Sequence, residues 1–393
     1  MDVPVLIVGG GPTGLTLGAL LARAGIEFLL VEKNPGTCTH PQAHAISGRT
    51  MEIFRSLGIH EEVYRRGLDM FRFGGLRIVT SLAGSELARI APRLDPEQIA
   101  AMMSFSPCPG TSTPQDLIEP LLAGILAGGP GQLRFNTELV EFRQDADGVA
   151  ATLASGGRRQ SVRARWMVAC DGASSGIREE LGIATEGPPP LGQIIGIYFH
   201  ADLMRWTRDR PAMLYWTIDS ERPATFIALD GRERWSLHVS WDPETESLAD
   251  YTPERCIDIA RHCIGADVEI DLRSVRPWTM SARIAETFRS GRVLLAGDAA
   301  HRFPPTGGSG LNAGVGDANN LAWKLAHVVR GLVGPALLDT FESERKPLAY
   351  ALADTATRNA TGEGSVGLPP PAPFNVIGPG RGLQGQRLAA GEV

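Results

Sequence analysis

The apolar positions open with an unbroken run over 3–8, Val-Pro-Val-Leu-Ile-Val, the pattern of a parallel strand covered on both faces. Glycines follow at once, and an apolar-periodic segment over 15–24, stopped by Gly25, predicts a helix. A second strand over 27–31 ends in Glu32. Helices are predicted over 49–57, stopped by Gly58, and from Gln115, just after Pro114. Short strands follow over 133–135, 138–143 and 149–153, with Asp147-Gly148 as a hairpin turn. A longer strand over 162–169 runs into Asp171-Gly172 ahead of a helix over 174–181.

The pattern then changes. Between 185 and 285 polar and apolar residues alternate, as over 193–200, 224–229 and 234–241, with one helix over 253–263; this predicts an antiparallel sheet. The first pattern returns over 293–296, where an apolar run ends in Gly297-Asp298. Pro304-Pro305 and Gly307-Gly308-Ser309-Gly310 follow, then a helix over 311–330, about 30 Å long. A last helix is predicted over 338–357 despite Pro347. The Gly- and Pro-rich segment 361–393 reads as a linker or loosely packed arm. The expected fold class is α/β. A Rossmann-like domain covers 1–184 and 286–360, including a small β excursion near 72–106, and an antiparallel-sheet domain over 185–285 is inserted in it.

Composition narrows the partners. A net charge of −6 argues against electrostatic affinity for nucleic acid or anionic lipid. No apolar run approaches the roughly 18 residues of a membrane span, and no basic region precedes the first hydrophobic stretch. Cys38, Cys108, Cys170, Cys256 and Cys263 are odd in number and lack zinc spacing, so no metal site and a reduced, cytoplasmic setting are expected.

Gly9, Gly11 and Gly14 fit G-x-G-x-x-G between strand and helix, and Glu32 follows at about the spacing, roughly 20 residues, of an acid that binds a ribose hydroxyl. The fingerprint by itself fits FAD and NAD(P) alike. Glu32, Asp171 and Asp298 each stand at the carboxyl end of a predicted strand, where open parallel sheets bind ligands. Arg49 opens a helix, where the dipole disfavours a cation, so either an anion lies nearby or Arg49 is a plain surface residue. Gln115 is either a first-turn residue or an amide contact to a ligand. Five of the seven tryptophans, Trp206, Trp216, Trp235, Trp241 and Trp278, fall in the alternating region; each by itself is more often core, while an aromatic-rich sheet suits a flat apolar substrate.

Read together, the glycine loop with Glu32, the stretch GRTMEIFRSLG around Arg49, Gln115, DGASSGIREELGI and GDAAHRFPPTGGSGLNAGVGDANNLAWKLA resemble the single-component FAD-dependent aromatic hydroxylases, relatives of para-hydroxybenzoate hydroxylase and phenol hydroxylase. The resemblance implies a para-hydroxybenzoate hydroxylase-like fold with FAD as cofactor and NADPH or NADH as co-substrate. By it, Gly9, Gly11, Pro12, Thr13, Gly14, Glu32 and Lys33 hold the ADP portion of FAD, and Arg49 and Gln115 line its phosphates and ribityl chain. Asp298 takes the ribityl hydroxyls, and Asp171 serves both FAD and NAD(P)H. Pro304, Pro305, Gly308 and Gly310 lie beside the flavin ring, with the backbone amides near Leu311 and Asn312 stabilising negative charge on it.

The implied reaction is hydroxylation of a phenolic or polycyclic aromatic, of the kind met in secondary metabolism, by O2 through a flavin C4a-hydroperoxide in a site that excludes water. His44 matches a histidine of the hydroxybiphenyl and chlorophenol branch and is either the base or orienter for the phenol, or a loop histidine without chemistry. The implied catalytic set is His44, Arg49, Pro304 and Pro305, with His301 read as structural. The same motifs would also serve a flavoprotein oxidase or epoxidase acting on an aromatic or polyketide, or a catalytically idle flavin and aromatic-ligand binding protein. The larger relatives carry a thioredoxin-like third domain, so 361–393 reads as a tail or as the stub of that domain. A homodimer is one open arrangement.

Overall fold

The computed structural model describes residues 1–90, 97, 100, 104–218 and 223–362. Strands Gly131–Arg134, Phe28–Val31, Asp2–Val8, Arg158–Ala169 and Val293–Leu295 lie side by side and parallel, in that order. Val5, Leu6 and Ile7 are fully buried, as a strand covered on both faces requires. Val8 is in register with Val31 and with Ala169, and Ala169 with Leu295, so four strands end along one edge. Just beyond it stand Glu32, Asp171 and Asp298. Arg158–Ala169 also continues backwards past this sheet and pairs antiparallel with Val149–Ser155.

The second sheet runs Asp271–Met280, Gly192–His200, Arg234–Ser240, Ala224–Ala228, Leu214–Thr217, Leu76–Val79, Glu86–Ile90. One expectation changes here. The strands near 72–106 are expected in the Rossmann-like part, but Leu76–Val79 pairs parallel with Leu214–Thr217 and extends this sheet. An isolated two-stranded hairpin is marginal in water, and pairing at the sheet edge buries Leu76 and Val79 beside Leu214 and Trp216. Residues 91–96, 98, 99 and 101–103 of that excursion lie outside the described residues.

One face of this sheet is apolar: Ile195, Ile197, Tyr215, Phe226, Trp235, Leu237 and Val239 share a core with Cys256, Ala260, Cys263 and Ile264 of the helix Pro253–Ile264. Trp206 and Trp241 pack against the same core. The helix Asp339–Thr361 passes through Pro347, which sits on its exposed side while Phe341, Ala349, Ala353 and Ala356 are buried. Gly362, at φ 80, ends it, and the expected arm beyond lies outside the described residues.

Candidate cofactor and substrate site

Three glycines of the first loop have distinct local reasons. Gly9 has φ 107, and a Cβ there would stand 2.2 Å from the Cys170 carbonyl oxygen. A Cβ on Gly14 would stand 2.0 Å from the Gly9 carbonyl oxygen, so both close the turn. Around Gly11 nothing lies within 4 Å, which leaves open space against the start of the helix Pro12–Arg23. No side chain caps that helix, so its first amides face the opening. Glu32 stands across the turn: its carboxylate accepts from the Gly10 amide at 2.6 Å and from the Asn34 amide at 2.8 Å. Lys33 is exposed beside it.

Gly297 and Asp298 form a short turn after Val293–Leu295. Gly297 has φ 61, and Cβ atoms on Gly297 and Gly314 would stand 2.5 Å and 2.2 Å from Thr13 Oγ1. Thr13 is thus wedged between this turn and the helix Ser309–Val329, tying together the ends of three elements. The Asp298 side chain is solvent-accessible yet ringed by protein, as in the floor of a cleft, and this partial desolvation raises its pKa. Asp171 accepts from the Ile177 amide at 3.3 Å through Oδ2, while its buried Oδ1 has no partner; burial raises its pKa too. Arg178 is buried behind them and donates to the carbonyls of Ala173 and Ala299, joining the two acidic turns.

The helix Ser309–Val329 begins at Gly308, with φ 60 and no side-chain cap. Gly310 faces Asp298, whose Oδ1 would lie 4.0 Å from a Cβ at that position. Pro304 is buried, and the Pro305 carbonyl accepts from the amides of Gly307 and Gly308 at 2.8 and 2.9 Å. Thr306 is buried below them and donates to the Ala356 carbonyl, while Asn359 donates to the Thr306 carbonyl at 2.8 Å. Leu311 is buried, and the side chain of Asn312 is fully engaged: Oδ1 accepts from the Ser47 amide and Thr50 hydroxyl, and Nδ2 donates to the carbonyls of Ala45 and Gly308. Asn312 therefore offers its backbone, not its amide group, to a ligand.

Arg49, next to that clasp in the helix Gly48–Ser56, points outward with its side chain 70% exposed and pairs with Glu52. Gln115 is buried and donates to Glu119 Oε1 at 2.7 Å; Glu119 Oε2 accepts from the Cys38 amide at 2.6 Å. These contacts serve helix and loop, and neither Arg49 nor Gln115 is joined directly to the three acids.

A family of proteins described as the FAD binding domain matches residues 2–356. The chain belongs to this family. It is 38% identical over 388 residues to a putative polyketide hydroxylase of Streptomyces coelicolor, covering 98% of this chain and 62% of that protein. It is 39% identical over 373 residues to aklavinone 12-hydroxylase RdmE of Streptomyces purpurascens, covering 91% of this chain and 69% of that protein. Among solved structures it resembles the flavin-dependent monooxygenase PieE in complex with FAD and substrate, with a TM-score of 0.87 at 36% identity over 92% of this chain and 65% of that one. A ternary complex of aklavinone-11 hydroxylase with FAD and aklavinone gives 0.83 at 38% identity over 90% and 68%. The chain thus spans a little under two thirds of the first of these relatives and structures. Its fold is that of the para-hydroxybenzoate hydroxylase-like flavoproteins, and its cofactor is FAD.

The features of the sheet edge fit this dinucleotide: an open glycine position at an uncapped helix start, an acid on the neighbouring strand, and an unpartnered carboxylate oxygen on Asp171. One supporting residue went unread in the sequence. Asp317, fully buried in the helix Ser309–Val329, accepts from the Gly297 amide at 3.0 Å, from His301 Nε2 at 2.6 Å and from Arg345 Nε at 2.7 Å. Burial pushes its carboxyl up, but His301 and Arg345 together outweigh that and hold it below the usual range. His301, stacked on Phe303 at 4.9 Å, is a structural partner in this triad. The one acidic residue of Ser309–Val329, set among Gly314, Gly316 and Ala318, is the signal that could have revealed it.

The polar face of the second sheet turns toward the FAD-binding layer. Tyr198, Ser236 and Ser274 lie in one cross-strand row, and His238 stands opposite Gly196 and Thr225 in the next. His40, from the FAD-binding layer, bonds Ser274 at 2.7 Å and packs edge-on to Tyr198. Asp116 pairs with Arg234, which also donates to the Tyr198 hydroxyl at 2.9 Å. His44 bonds Ser112 at 3.0 Å and is buried. Its position between the Asn312 clasp at Ala45 and this face places it where the FAD-binding layer meets the sheet. Burial holds its imidazole down at about 4. The alternation over 234–241 marks Arg234, Ser236, His238 and Ser240 as one face of the strand, but not what that face meets.

Proposed function

We propose that this chain carries the catalytic part of an FAD-dependent monooxygenase that uses NAD(P)H and O2 to hydroxylate a phenolic or polycyclic aromatic. The observation that carries the reading is the juxtaposition of an FAD-fitted sheet edge with a polar sheet face: Ala45 and Ser47 are clasped by Asn312 at the start of Ser309–Val329, while His40 of the same loop bonds Ser274 and Asp116 pairs with Arg234 on the second sheet. The names of the relatives point the same way, and a reduced cytoplasmic setting agrees with the five free cysteines among the described residues.

Bound FAD supplies the redox chemistry that links NAD(P)H, O2 and the ring. The loop at Gly9, Gly11, Pro12, Thr13 and Gly14 receives the pyrophosphate on backbone amides, with Glu32 on the ribose and Lys33 at the rim. Asp298 and Asp171 take hydroxyl donors, and burial, by raising their pKa values, makes them ready hydrogen-bond partners for neutral groups. Arg49 reaches a phosphate by leaving its exposed pair with Glu52, which is worth about 0–1 kcal/mol. Gln115, held by one N–H on Glu119, offers its carbonyl oxygen and its second N–H. The uncapped start of Ser309–Val329, at Gly308, Gly310, Leu311 and Asn312, stabilises negative charge, and the Pro304-Pro305 turn closes the site against water.

His44 orients the substrate. A phenol with a pKa of about 10 does not transfer its proton outright to an imidazole held near 4, so the neutral ring accepts a hydrogen bond and leaves the aromatic electron-rich. The test is a screen of aromatics for stimulated NAD(P)H oxidation, followed by mass spectrometry under labelled O2. Labelled oxygen in the ring is the expected result. A product without it supports the oxidase reading, and no stimulation by any aromatic supports the idle flavin-binding one.

A further inference from the structure

The proline turn at 304–308 is gripped by one turn of the helix Asp339–Thr361, far along the chain. Thr306 is fully buried, and its hydroxyl and its carbonyl both go to that helix. The hydroxyl donates to the Ala356 carbonyl, and the Thr306 carbonyl accepts from Asn359 Nδ2 at 2.8 Å. Residues 356 and 359 are neighbours on one helix face, so the clasp has two points. Ala356 is itself fully buried, and a Cβ on Gly307 would stand 3.9 Å from its methyl, an ordinary contact. Asn359 is only half-buried and asparagine is a weak helix former, so its worth at this place lies in the bond it makes.

The same helix also reaches the other end of this segment. Arg345 Nε donates to Asp317 at 2.7 Å, and Asp317 accepts from the Gly297 amide at 3.0 Å. From 345 to 356 the helix runs about 16 Å, so one rigid element splints both the Asp298 turn and the proline turn. At the far side of the proline turn Asn312 Nδ2 holds the Gly308 carbonyl. Between these anchors the Pro305 carbonyl accepts from the Gly307 and Gly308 amides at 2.8 and 2.9 Å. Those two bonds lie inside the turn, so they fix its shape but not where it stands. Its place is set by the clasp on Thr306.

We propose that Asn359, acting through Thr306, is a positioning residue that sets where the Pro304-Pro305 turn stands and so keeps solvent from the reactive edge of the bound flavin. This rests on the reading of that turn as the wall that closes the site against water. The Thr306 carbonyl is buried, and a buried acceptor without a donor costs more than the bond itself was worth. With the Asn359 donor removed, the turn moves toward water to satisfy that carbonyl. FAD affinity rests on the glycine loop, Glu32 and Asp298, which are held by their own contacts, so the turn opens without releasing the cofactor.

The experiment compares the FAD-loaded parent with Asn359→Asp, which keeps the size of the side chain and removes the donor, and with Asn359→Ala. Amide hydrogen exchange over 303–310 should quicken about two- to tenfold in both variants, the worth of one hydrogen bond. Iodide quenching of the flavin fluorescence should rise at least about twofold, while the Kd for FAD stays within about twofold of the parent's. A residue that merely packs would leave Asn359→Asp like the parent. Should the Asn359 variants fail to fold, Thr306→Val, which loses the hydroxyl, should show the same rise, and Thr306→Ser, which keeps it, should not. Unchanged quenching in Asn359→Asp or, in its place, Thr306→Val overturns the proposal, and so does a loss of FAD affinity in step with the quenching. Aromatic-stimulated NAD(P)H oxidation is measured separately: its absence in the parent, with the quenching difference intact, overturns the hydroxylase reading and leaves the clasp standing.

Discussion

The carboxylate of Asp317 accepts a hydrogen bond from the backbone amide of Gly297 at 3.0 Å, so a residue inside the long helix holds the turn that presents Asp298. The same carboxylate is the counter-ion of Arg345 and the partner of His301. Asp317→Ala should therefore cost about 3–5 kcal/mol, the loss typical of breaking a buried charged pair, and release FAD. Thermal melts and flavin content after gel filtration check this. Full flavin retention at unchanged stability would remove Asp317 from its positioning role.

Two glycine substitutions should separate folding from cofactor binding. Gly11 has φ −77 and nothing near its missing Cβ, so Gly11→Ala should fold normally yet bind FAD at least about tenfold more weakly, because the methyl enters the space left for the pyrophosphate. Gly314→Ala drives a Cβ into Thr13 and should cost about 1–3 kcal/mol of stability as well. Melting curves and FAD titration of the apoprotein distinguish the two.

His44→Ala should leave FAD binding intact, lower hydroxylation about a hundredfold, and divert NAD(P)H consumption into peroxide. Peroxide formed per NAD(P)H oxidised is the measurement, and unchanged coupling would exclude His44 from substrate orientation.

Acid should destabilise the fold through the histidine cluster. The unfolded imidazole binds its proton near 6.5, whereas folded His40 and His44 do so near 4 and His238 near 3. Between those values the unfolded chain binds more protons, so stability falls as pH falls from 6.5 toward 4. Asp116, Glu119, Asp171 and Asp298, raised by burial, act in the opposite sense, and comparing two proteins that share them largely cancels their effect. Relative to the parent, His238→Gln should gain on the order of 1 kcal/mol per pH unit of acidification in urea melts, and parallel pH curves would contradict this.

The sequence by itself determined the parts whose signals are local. An apolar run, a glycine turn and a helix stop each lie within a few residues, so the first strand, the open Gly11 position, Glu32, the Gly297-Asp298 turn and the long helix behind Gly308 were all legible. Only the tertiary structure decided which elements pair and which polar groups meet. Leu76–Val79 joined the second sheet because its edge buries those side chains, a choice no short window contains. His40 meets Ser274 across 234 positions and His44 meets Ser112 across 68, while Asp317 reaches back to Gly297. A hydrogen bond is selected by geometry and desolvation after the chain has folded, so residue type marks a candidate while packing chooses its partner.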